Sequence, residues 1–143
     1  MFIARVFAAL AASALAACHA LQEPTMPESP AAQCAVIESS DWAAWINAMP
    51  GPGAQPALIV TGQITLPTPG FSATLREGIA DRSAQPVQQL VLELTPPSGM
   101  VSQVIVTQPV RYEGPAIAQR YRAVRVVCAG RMLAEITEIP IAH

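Results

Sequence analysis

Val87-Gln88-Gln89-Leu90-Val91-Leu92-Glu93-Leu94-Thr95 is the stretch on which the fold turns. Leu90, Leu92 and Leu94 fall on one side, with Val91, Glu93 and Thr95 opposite. A period of two marks a strand with one face in a core. Pro96-Pro97-Ser98-Gly99 follows as a turn, and residues 100–107 continue the alternation. Upstream, residues 57–66 are rich in branched side chains and bounded by prolines, and residues 71–76 alternate apolar with polar. Downstream, residues 121–129 set Val124, Val126 and Cys128 against Arg125, and residues 131–139 follow a bend at Gly130. Residues 34–38 add a short opening strand. About seven strands with turn signals at short intervals predict an all-β fold, a two-layer antiparallel β-sandwich, immunoglobulin-like in general architecture. A closed barrel is the competing arrangement. A parallel α/β sheet is disfavoured because no segment between strands is long enough for a crossover helix. The detailed immunoglobulin spacing is absent, with no tyrosine two residues before Cys128 and no tryptophan midway between the cysteines.

One segment departs from this pattern. Trp42, Trp45, Ile46 and Met49 stand at i, i+3, i+4 and i+7, the stripe of an amphipathic helix. Ser39 or Ser40 can cap it, Asp41 suits its first turn, and Pro50-Gly51-Pro52-Gly53 stops it. The reading is one short N-terminal helix carrying both tryptophans into the core.

The chain of 143 residues is long enough for one domain. Its apolar residues make up 52% against 13% charged, which argues against disorder. The net charge of −2 lacks the concentrated basic face of a nucleic-acid binder. Residues 1–17 run from a start with the single charge of Arg5 into a twelve-residue uncharged core, the layout of a secretory signal and too short to span a bilayer. Leu15-Ala16-Ala17-Cys18 resembles the lipobox of bacterial lipoproteins. That resemblance implies cleavage before Cys18, acylation of Cys18 and a membrane partner held through lipid, with an envelope protein as a further partner. An aspartate after the acylated cysteine retains enterobacterial lipoproteins in the inner membrane. His19 occupies that position here, which points to the outer membrane, facing the periplasm.

Residues 18–33 then form the acylated cysteine and a Pro-rich tether, with Pro24, Pro27 and Pro30 three apart, and residues 34–143 form the domain. With Cys18 taken by lipid, Cys34 and Cys128 remain as an even pair in an oxidising compartment, read as a disulfide. Metal binding or a redox couple are the alternatives, and both lack their usual local signature.

Side chains for catalysis are sparse. His19 and His143 lie near the ends of the processed chain, and there is no nucleophile elbow, phosphate loop or metal-ligand cluster. Glu77 and Asp81 flank a turn, and Arg120, Arg122 and Arg125 do not converge under a period of two. The expectation is a protein that is not an enzyme, with no cofactor, no metal and no nucleic-acid partner, acting as a structural or protein-interaction module.

One loop carries a second resemblance. Pro67-Thr68-Pro69-Gly70-Phe71 places proline and glycine at the centre of a type II turn, the hairpin reading. It also resembles the Pro-Thr-Thr-Gly-aromatic loop of chagasin-like cysteine-peptidase inhibitors. Pro67, Thr68, Gly70 and Phe71 match and Pro69 departs; the family's downstream tryptophan and its two other loop motifs are missing. The resemblance implies an alternative function, peptidase inhibition through residues 67–71.

Overall fold

The computed structural model describes residues 33–143. The signal segment, Cys18 and the Pro-rich tether lie outside the described residues. The described residues form eight strands: β1 (Glu38–Asn47), β2 (Ala57–Leu66), β3 (Ser72–Ala80), β4 (Val87–Thr95), β5 (Val106–Pro115), β6 (Ala123–Cys128), β7 (Arg131–Ile136) and β8 (Ile141–Ala142). They build two four-stranded sheets, β5-β2-β1-β8 and β3-β4-β6-β7. The sheets share one core. Leu58, Val60, Ile64 and Leu66 of β2 meet Leu90 and Leu92 of β4 and Val124 and Val126 of β6. Each such side chain removed from water contributes about 1.5–3 kcal/mol. Strands from different sheets approach along β3 and β5 at one margin and along β1 and β7 at the other.

Strand β2 occupies the range that its branched side chains and flanking prolines predict, β4 the range that its alternation predicts, and both sheets are mixed instead of antiparallel. Strand β4 runs parallel to β6, pairing Val87 with Ala123, and β1 runs parallel to β8, pairing Ile46 with Ile141. The connection that a parallel pair requires is not a helix here. Strand β5 provides it: the chain leaves β4, returns along β5 in the other sheet and re-enters as β6.

The described residues contain no helix, and the one expected at residues 39–49 is strand β1. A bulge explains the misleading spacing. Asp41 adopts φ 54°, and the register with β2 shifts between Ser40 and Ala43. An inserted residue turns a period of two into an apparent i, i+3 step. Ala44 and Ile46 alternate into the core, and Trp42 packs against it, its ring close over Gly62. Trp45, paired with Ile59, faces out beneath the Arg111 guanidinium, 5.9 Å from the ring centre. The tryptophans therefore serve opposite faces. Met49 lies past the strand and is exposed.

Other boundaries move as well: β3 runs on to Ala80, and β7 stops at Ile136. Residues 34–37 form no strand, because Cys34 is bonded to Cys128 at the end of β6 while the Ile37 N–H donates to the Thr65 carbonyl of β2. The segment thus crosses between the layers. Residues 100–105 are not strand either, since residues 96–105 carry the chain from β4 in one sheet to β5 in the other.

A second bulge, in β3 between Glu77 and Ala80, is filled from β4 by Gln88. This buried amide donates to the carbonyls of Gly78 (3.4 Å) and Gln89 (3.0 Å).

Candidate functional site

The strand directions sort the connections into two poles. One pole gathers residues 33–37, the β2–β3 loop 67–71, the β4–β5 loop 96–105 and the β6–β7 turn at Ala129 and Gly130. The other gathers residues 48–56, 81–86, 116–122 and 137–140.

At the first pole, Cys34 and Cys128 are joined by a disulfide. Arg131 reinforces the junction, donating from Nη2 to the Val36 carbonyl and, at 3.6 Å, to the Cys34 sulfur. The 67–71 loop turns as expected, with Gly70 at φ 86°, the value that the third residue of a type II turn requires. It does not project. Thr68 is only 8% exposed, and Phe71 packs against the core. The 96–105 loop lies against it, so that a Cβ at Gly70 would stand 3.0 Å from Pro97 and 4.0 Å from Val101. Pro67 and Pro69 are half-buried, leaving Gly70 as the exposed member of the five.

What projects is the covering loop. Gly99 turns at φ 88° in open space, and Met100 beyond it is fully exposed, with Val104 and Ile105 also out in solvent. The sequence carried a signal for this surface, an uncharged run from Leu94 to Val110, which strand alternation absorbed.

The second pole is polar at its rim. Asp81 organises the β3–β4 loop: Oδ1 accepts from the Ser83 N–H and hydroxyl, and Oδ2 accepts from the Val87 N–H at 3.1 Å. Arg122 stands 3.3 Å from Oδ2. The hydrogen bonds from Ser83 lead in holding the Asp81 carboxyl at a pKa of about 2, and Arg122 adds a smaller attraction. The three arginines diverge: Arg122 engages Asp81, Arg125 engages Glu135 on an outer sheet face, and Arg120 is exposed nearby. Glu77 lies close to the phenols of Tyr112 and Tyr121, both raised above the ordinary tyrosine value chiefly by burial.

Beside this rim opens an apolar groove of about 460 Å³, lined among others by Ile46, Pro56, Ala116, Ile117, Ile141 and His143. The Tyr121 hydroxyl accepts from the Ile117 N–H at 2.8 Å and fixes one wall. The groove draws residues from β1, β8 and two connections, so no local stretch of sequence announces it. Its chemistry suits an apolar side chain. Among the described residues, no three of His, Cys, Asp and Glu are grouped so as to hold a metal ion. Compared with protein-family models, curated proteins and solved structures, the chain has no match.

Proposed function

We propose that the chain is a lipid-anchored cell-envelope protein, held through acylated Cys18 at the periplasmic face of the outer membrane, and that it serves as a structural or protein-interaction module. On this reading the domain is an immunoglobulin-like sandwich in its general architecture. It binds and does not catalyse. The observation that carries the proposal is the Cys34–Cys128 bond, which suits an oxidising compartment and fastens the domain at the point where the chain from Cys18 enters it. The groove at the opposite pole supplies the binding surface, directed away from the anchor, and its partner is an apolar side chain on another envelope protein. Peptidase inhibition through residues 67–71 fits the geometry less well, because Thr68 is buried and Phe71 belongs to the core.

The test joins two measurements. Mass spectrometry of the native protein should find acyl mass on Cys18, and Cys18→Ser should leave an unprocessed or soluble form. Cross-linking in cells followed by capture should return one dominant envelope protein, and Ile117→Glu should abolish that yield. Acylated protein that returns no such partner overturns the interaction reading.

A further inference from the structure

The two poles differ sharply in charge. From Leu94 to Val110, seventeen residues in a row carry none, and they include the whole 96–105 loop. The opposite connections hold Asp81, Arg82, Arg120, Arg122 and Glu138. Exposed apolar side chains in an uncharged setting mark a contact surface when they are contiguous. Here Met100, Val104 and Ile105 are exposed by 103%, 55% and 64%, on a loop whose turn at Gly99 directs them away from the core. The loop has a defined course, with the Val104 N–H donating to the Ser102 carbonyl at 3.0 Å and Val101 set against the Gly70 turn. Ile37 and Met132 add exposed apolar groups at the same pole.

The place where the preceding chain enters selects the occupant. Gln33 and Cys34 lie at this pole, and Gln33 is fifteen positions beyond Cys18. Such a length cannot reach beyond about 50 Å, so an anchor at Cys18 holds this end of the domain within that distance of its membrane.

We propose that the 96–105 loop rests on the lipid bilayer that holds Cys18, with Met100, Val104 and Ile105 entering the boundary between headgroups and acyl chains. The inference builds on the lipid-anchor reading above. It gives the domain a fixed orientation: this pole lies down on lipid and the 460 Å³ groove opens away from it. Apolar side chains on a loop that itself carries no charge suit that boundary, and a second contact strengthens anchoring by acyl chains.

Hydrogen exchange on the full acylated protein, reconstituted in vesicles of phosphatidylethanolamine and phosphatidylglycerol, tests it. The comparison is with Met100→Asp/Ile105→Asp on the same vesicles; both positions are exposed, so the fold tolerates the change. Amides of residues 99–105 should exchange on the order of tenfold more slowly in the parent than in the variant, once intrinsic rates are corrected. Residues 50–56 at the opposite pole should not differ. Equal exchange of the loop in parent and variant, with acyl mass present on Cys18, overturns the lipid contact and leaves the anchor standing. A chain without acyl mass on Cys18 fails the anchor reading and this proposal with it.

Discussion

Asp81 shows how a single exposed side chain organises a connection. Its carboxylate collects donors from Ser83 and Val87 and so shapes the loop that returns the chain from β3 to β4. Hydrogen bonds to the charged form favour that form, which is why its pKa lies at about 2 and not at 3.8. Linkage fixes the sign. A folded value below the unfolded one contributes stability that is complete above 3.8 and is lost as the pH falls through about 2. Asp81→Asn removes the charge at every pH and turns one acceptor into a donor facing the Val87 N–H. The variant should therefore melt below the parent near neutral pH, and the gap should close as the pH is lowered from 3.8 to about 2. Thermal melts of both proteins across that range check it, and a gap that stays constant would refute the assignment.

At the scale of the element, β1 is defined by its bulge. The inserted residue at Asp41 lets Trp42 lie across β2, where the strand offers a glycine. A Cβ at Gly62 would come within 2.3 Å of the indole, a distance that a rigid ring cannot relieve without moving. Glycine normally weakens a strand, but here it is the residue that admits the ring. Gly62→Ala should cost about 1–3 kcal/mol, the usual range for overpacking a core. Denaturant titration measures it. Trp42 replaced by a smaller side chain supplies the control: in a double-mutant cycle, Trp42→Leu should make Gly62→Ala much less harmful, with a coupling of at least about 0.5 kcal/mol. Additive losses would show that the two residues do not meet as described. The same bulge limits what the sequence discloses about this element. Strand β2 reads correctly from its branched residues between prolines, and β4 because Leu90 and Leu92 keep one unbroken alternation. Trp42, Trp45, Ile46 and Met49 mimic a helix because an interrupted period of two and a period of 3.6 share their first steps. Residues 100–105 are uncharged and mostly apolar and so read as strand, yet pair with nothing, since the chain must change sheets there. Pairing partners and sheet changes are long-range facts that local alternation does not encode.

Across the whole molecule, the bond between Cys34 and Cys128 spans 94 positions and ties the start of the domain to the far end of β6. The cysteine count discloses this pairing, whereas the groove lined by Ile46, Ile117 and Ile141 is assembled from distant segments and leaves no local trace. Closing so long a loop restricts the unfolded chain, which in the chain-entropy account stabilises the fold by about 4–5 kcal/mol. Domains of this size are stable by about 5–15 kcal/mol in total, so the bond supplies a large share. Other contacts hold the same segment: Val36 is buried, Ile37 bonds to Thr65, and Arg131 reaches the Val36 carbonyl. Cys34→Ser/Cys128→Ser should therefore retain the two sheets while its urea midpoint falls. If the bond acts mainly on the unfolded chain, the slope of the urea transition should also steepen, because an unlinked chain exposes more surface. A loss near 4–5 kcal/mol with a steeper slope matches that mechanism. A loss below about 1 kcal/mol with an unchanged slope would mean that Val36, Ile37 and Arg131 hold this pole without the bond.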